Sequence, residues 1–143
     1  MEDEDFVNFE SGHFLELAKL LYNDVNDSEY KSALERTIIT RIYYAVFLFL
    51  REWMKEENYG HLLKNNGEDH SIIPKFIYNN GPCDFQTNHD IANNFKDLKR
   101  LRRQCDYFLE LPSPGTDESK KWIRLSTRDA ILTAEFIINN FSF

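Results

Sequence analysis

One run of the chain limits what it can become. Residues 37–54, TIITRIYYAVFLFLREWM, are apolar around most of a helical circumference. At about 100° per residue, Ile39, Ile42, Tyr43, Val46, Phe47, Leu50 and Trp53 share one broad arc. Thr37, Arg41, Tyr44, Leu48 and Arg51 fall on the other side. β-branched residues are frequent here, but strands usually end after roughly 3–10 residues, so a strand of this length is excluded. A helix this apolar belongs at the centre of a fold, against several partners. The spacing predicts that it runs from Glu29 to Glu57, with Ser28 as its cap.

Four further helices are predicted around it. The first runs from Phe14 to Val25 behind Ser11, with Leu15, Ala18, Leu21 and Tyr22 at helical spacing. After the loop NYGHLLKNNGED, a short helix from Ser71 to Asn79 accommodates Pro74 in its first turn. A second loop, NNGPCDFQTN, leads to a helix from His89 to Leu111, with Ile91, Phe95, Leu98, Leu101, Cys105 and Phe108 as its apolar stripe. PSPG stops it. The last helix starts near Asp117 or Glu118, where acidic residues complement the helix dipole. Its buried side is marked by Trp122, Leu125, Ala130, Thr133, Ile137 and Phe141. No convincing strand, internal repeat or low-complexity segment interrupts the pattern. The expectation is an all-α, up-and-down bundle of about five helices, one domain over residues 1–143 with an acidic tail over residues 1–10.

With 143 residues, 42% hydrophobic, including 12 Phe and 7 Tyr, the chain has material for a real core. Its longest apolar run, Ile42 to Leu50, is flanked by Arg41 and Arg51 and falls short of the ~18 residues of a membrane span. The acidic MEDEDF start resembles neither a signal nor a transit peptide. Cys83 and Cys105 set no disulfide framework, so a reducing, cytoplasmic setting is expected. His13, His61, His70 and His89 form no His-x-x-x-His pair and no repeated Glu-x-x-His motif, so neither a metal site nor a cofactor is expected. The sequence has no phosphate-cradling glycine loop and no Ser or Cys nucleophile motif.

The formal charge of −7 argues against bulk nucleic-acid binding, but it is unevenly placed. Lys96, Lys99, Arg100, Arg102 and Arg103 stand against Asp97 alone, a local balance of +4. Such an island can hold a phosphate backbone; the plainer alternative is a solvated face paired with acidic neighbours. In FKDLKRLRRQCDYFLEL, residues 95–111, Arg102 falls inside the apolar arc with Asp106 one turn on, while Lys96, Arg100, Arg103 and Tyr107 face away. Arg102 and Asp106 are thus either a brace at a helix seam or an arginine held ready for phosphate. A brace predicts a cost of about 1–3 kcal/mol for removing either partner. Arg41 is a second arginine in need of a partner, and Glu52 on its face lies three turns away. Tyr43 and Tyr44 read first as core and interface aromatics. His70, beside Asp69 and before the short helix, is the histidine that could transfer a proton if it folds near Arg102; otherwise it only contacts that helix.

Two motifs resemble the HEPN domain family, named for higher eukaryotes and prokaryotes nucleotide-binding. RIYYAVF, Arg41 to Phe47, is similar to the second-helix motif of one branch. LRRQCDY, Leu101 to Tyr107, is similar to that branch's later Arg-x-x-small-Asp-Tyr motif, with Arg102 as its arginine and Cys105 in the small position. GEDHSIIPKF resembles the intervening segment that carries a histidine, here His70. The resemblance spans roughly residues 11 to 140. It implies a helical bundle that is often a homodimer. Many members are metal-independent ribonucleases in which an arginine is followed, four to six residues on, by a histidine. Here Tyr107 stands five residues after Arg102, and no histidine follows through Pro114. Tyrosine, with a pKa near 10, is a poor base at neutral pH. Other members are non-catalytic or pair with a small nucleotidyltransferase as a toxin–antitoxin set.

The expectation is therefore an HEPN-like protein that binds RNA or a nucleotide, one half of such a pair, its ribonuclease activity degenerate. The catalytic candidates are Arg102, Asp106, Tyr107 and His70; the binding candidates are Lys96, Lys99, Arg100, Arg103, Arg41 and Tyr44. The alternatives are a homodimeric interaction module that binds no nucleic acid and an active metal-independent ribonuclease.

Overall fold

Ten residues of the central run are buried, and they share an arc of about 200° on one helix. The computed structural model describes residues 11–27, 29–107 and 126–141, with the side chains of Ser11, Asp27 and Tyr107 outside the described residues. Among the described residues five α-helices run in order: α1 Ser11–Asn23, α2 Lys31–Glu56, α3 Asp69–Asn80, α4 Phe85–Tyr107 and α5 Thr127–Asn139. Short 3₁₀ turns at Val25–Asp27 and Gly60–Leu62 follow α1 and α2. No strand occurs among the described residues. The fold is an all-α bundle. α2 touches each of the other four described helices, and α4 packs on α2, α3 and α5. Among the described residues, no helix is long and apolar enough to cross a membrane.

The packing follows the apolar pattern. Ile42, Tyr43, Val46 and Leu50 of α2 are fully buried, as are Ile91 and Phe95 of α4 and Ala130 and Ile137 of α5. The half-buried remainder of α2 contains Arg41, Tyr44, Leu48 and Arg51, the side the spacing set apart. Arg36 Nη1 donates to the Cys105 carbonyl at 2.7 Å and pins α2 to the end of α4.

The helix ends differ from expectation, and caps account for most of the difference. α1 begins at Ser11, not after it, and ends at Asn23 rather than Val25, which belongs to the 3₁₀ turn. α2 begins at Lys31 behind Tyr30, whose side chain makes no cap; the expected cap Ser28 lies outside the described residues. α4 starts four residues before His89. Asp84 caps it, accepting from the Thr87 N–H at 2.9 Å and the Thr87 hydroxyl at 3.1 Å. α5 starts at Thr127, where Ser126 is extended and its hydroxyl accepts from the Asp129 N–H at 3.0 Å; the expected start near Asp117 or Glu118 lies outside the described residues. Phe108, the PSPG stop, Trp122 and Leu125 lie outside the described residues.

α3 begins at Asp69, so His70 sits within its first turn instead of preceding it. Pro74 consequently falls in the second turn, where the His70 carbonyl loses its usual i+4 donor. Asp69 is buried, and its carboxylate accepts from the backbone N–H groups of Lys64 at 2.7 Å and Asn65 at 3.0 Å. That knot fixes the loop before α3 and with it the position of His70. At the other end of α3, buried Asn88 of α4 accepts from the Cys83 N–H and donates to the Cys83 carbonyl. A Cβ on Gly81 would come within 2.4 Å of Asn88 Oδ1, so this tight approach of α3 to α4 requires glycine.

Candidate functional site

α3 and α4 enclose a cleft of about 640 Å³ lined by His70, Ser71, Pro74, Lys75, Tyr78, Asn79, Lys96, Lys99, Arg100 and Arg103. Five of these side chains are cationic and none is a carboxylate. The reason is periodicity on two helices. On α4 the apolar stripe of Ile91, Phe95 and Leu98 turns inward, which leaves Lys96, Lys99, Arg100 and Arg103 on the side towards α3. On α3, Ile73 and Ile77 turn inward and present Ser71, Lys75, Tyr78 and Asn79. Burial, then the charges of Arg103 and Lys96, lower the pKa of Lys99. The cations thus repel one another, and an anion in the cleft would relieve that repulsion.

The wall of the cleft is an aromatic cluster. His70 stacks on Phe47 with centroids 4.1 Å apart and an interplanar angle of 9°. Its Nδ1 is hydrogen-bonded to the hydroxyl of fully buried Tyr43. A buried hydroxyl must place its proton somewhere, and donation to Nδ1 does so. The ring proton is then on Nε2, the remaining donor of His70. Burial, Lys99 and Arg102 lower the pKa of His70, against the opposing charge of Asp69. The imidazole is therefore neutral at pH 7. Burial drives the Tyr43 phenol far above its ordinary range, against the nearby charge of Arg102, so Tyr43 stays protonated.

Arg102 approaches the same cluster from the other side. Its guanidinium carbon lies 5.7 Å from the Tyr43 centroid and 5.2 Å from that of Tyr44. Its Nε is 2.9 Å from Asp106 Oδ2, yet the N–H is not aligned on that oxygen, so the contact is an ion pair rather than a hydrogen bond. Thr40 of α2 donates to Asp106 Oδ1 at 3.4 Å. The side chains of Arg102 and Asp106 are 23% and 30% exposed. The pair braces the α2–α4 seam and does not line the cleft.

This geometry splits the expected equality of the two truncations. Asp106→Ala removes a partly exposed ion pair and is expected to cost less than about 1 kcal/mol. Arg102→Ala also removes packing over two tyrosines, and is expected to cost about 1–3 kcal/mol. Urea melts of both single variants and the double variant test this; equal losses from the two single variants would contradict it.

The structure thus brings His70, Lys96, Lys99, Arg100 and Arg103 to one cleft, with Arg102 and Asp106 behind its wall. It does not bring Arg41 or Tyr44 there. Arg41 lies over the Phe14 ring of α1, 5.5 Å from the centroid, so its partner is on another helix and not Glu52 of its own. Tyr44 packs edge-on against Tyr43 and Phe47 beneath Arg102. The Tyr107 side chain lies outside the described residues. Lys75 and Tyr78 were not anticipated. The polar face of α3 opposite Ile73 and Ile77 was the signal that could have found them. Among the described residues no cluster of three His, Cys, Asp or Glu could hold a metal ion.

No protein-family model matches the chain, and no solved structure matches it. An uncharacterized protein of Methanocaldococcus jannaschii is 34% identical over 89 residues, which take in 53% of this chain and 49% of that protein. The chain spans about half the length of this curated relative.

Proposed function

We propose that the chain is an HEPN-like helical protein that binds RNA or a nucleotide in the α3–α4 cleft, and that its ribonuclease activity is degenerate. The observation that carries this reading is the cleft: five cations and no carboxylate, on a chain of net charge −7. The three segments of the HEPN resemblance also converge, since His70 and Arg102 both pack on Tyr43. Arg102 is engaged by Asp106 and two tyrosines outside the cleft, which supports binding over cleavage. A role as one half of a toxin–antitoxin pair with a small nucleotidyltransferase, and a homodimeric, cytoplasmic protein, belong to the same reading. Exposed Leu17 and Leu20 of α1 and Leu132 and Phe136 of α5 offer apolar surface for a second copy.

Titration of a labelled RNA, followed by fluorescence anisotropy over a range of salt, tests the binding. Log affinity should fall linearly with log salt, by about 0.7 for each phosphate contacted on a single strand. Absence of binding at low salt, for RNA and for nucleoside triphosphates alike, would sink the reading. Light scattering is expected to give twice the 17.0 kDa chain mass, and a clean monomer would remove the dimer from the proposal.

A further inference from the structure

The basic cleft continues into a ladder of rings that folding alone does not require. Tyr78 of α3 stacks on His89 of α4, with centroids 3.6 Å apart and an interplanar angle of 14°. Phe85, one turn before His89, lies 3.9 Å from the same ring at 52°. Two six-membered rings cannot share one imidazole face at such distances, so His89 is held between them. Phe85 is nevertheless 72% exposed, and Tyr78 is 36% exposed. The α3–α4 contact is already closed beneath them by buried Ile73, Ile77 and Ile91. On the far side of the ladder, Lys96 Nζ stands 5.9 Å from the Tyr78 centroid and opens the run of cations.

Helical spacing aligns these features. Residues 85, 89, 96 and 103 recur within about 40° of one stripe along α4. The stripe is aromatic at its start and basic at its end, and Phe85 to Arg103 spans about 27 Å at 1.5 Å per residue. An aromatic platform followed by a charged track is the arrangement that takes bases on one part and phosphates on the other. A duplex keeps its base faces stacked inside and could meet only the cations. We infer that the ligand of this surface is single-stranded nucleic acid, with a base stacked on the exposed face of Phe85 and the backbone running past Lys96 into the cleft at Lys99 and Arg103.

The inference rests on the reading of the cleft as a phosphate site, and the test separates the two. A labelled RNA of about ten nucleotides covers the ~27 Å track at ~3.4 Å per stacked nucleotide. It is titrated single-stranded and then annealed to its complement, against the intact chain and against Phe85→Ala and Phe85→Leu. The single strand is expected to bind roughly tenfold tighter than the duplex. Either Phe85 variant should weaken single-strand binding roughly tenfold, as loss of one base–aromatic stack does. The salt slope should stay unchanged, because no phosphate contact is lost. Both variants should melt like the parent, since the ring is exposed. Equal binding of strand and duplex, or Phe85 variants that bind like the parent, would overturn this inference while leaving the phosphate cleft standing. If neither RNA binds at low salt, this inference falls, and the cleft reading falls with it when nucleoside triphosphates do not bind either.

Discussion

Phe95→Ala is expected to lower stability by about 3–5 kcal/mol, a large part of the roughly 5–15 kcal/mol of a small domain. Phe95 is fully buried on α4 and stacks on Tyr43 of α2, with centroids 5.4 Å apart at 27°. Its removal leaves a void at the α2–α4 contact that rigid helices cannot close. The effect reaches the site, because Tyr43 is the partner of His70 and one of the two rings beneath Arg102. Phe136→Ala is the contrast. That ring is 38% exposed on α5, and its loss should cost less than about 1 kcal/mol. Urea denaturation followed by circular dichroism reads both. Similar losses for the two would mean that the Tyr43 cluster is not the packed centre described above.

How far the fold could be read from the chain depended on the range of the interactions involved. The arc of α2 and the stripe of α4 are long repeats of apolar residues, and many positions had to agree before they were read. Ile42, Tyr43, Val46, Ile91, Phe95 and Leu98 all lie where that repetition put them. Helix starts are set by single contacts over three residues, such as Asp84 with Thr87 and Ser126 with Asp129. In the sequence these compete with neighbouring turn residues, and NNGPCD hid the first of them. Asp69 misled differently. Its carboxylate closes the preceding loop rather than marking the helix it begins.

The site divides in the same way. The cations of α4 fall within eight positions of the chain and could be read as an island. Lys75, Tyr78, Phe85 and His89 join them only because Gly81 and Asn88 let α3 and α4 close on one another. That juxtaposition is tertiary, and no local spacing encodes it. Arg102 shows the converse. Its place at the apolar seam followed from helical geometry alone, but its partners Tyr43 and Tyr44 lie 59 and 58 positions away in the chain.

Reversing Arg100 and Arg103 together, Arg100→Glu with Arg103→Glu, is expected to weaken RNA binding by about a hundredfold or more at low salt. Two phosphate contacts are lost, so the salt slope should also fall by about 1.4. Two carboxylates then stand beside Lys99, and repulsion of the backbone adds to the loss. Arg100 also offsets the burial that raises the pKa of Asp97, so the variant's melting curve must be recorded beside its affinity. Two controls isolate the cleft. Arg100→Lys with Arg103→Lys keeps the charges and should keep the salt slope, losing only the planar fork. Lys31→Glu with Lys55→Glu changes the net charge equally at exposed positions of α2 outside the cleft. At moderate salt, charges farther apart than the Debye length of roughly 10 Å are screened, so this second pair should have little effect. If it weakens binding as much as the cleft pair does, the total charge of the chain, and not the α3–α4 cleft, governs the interaction.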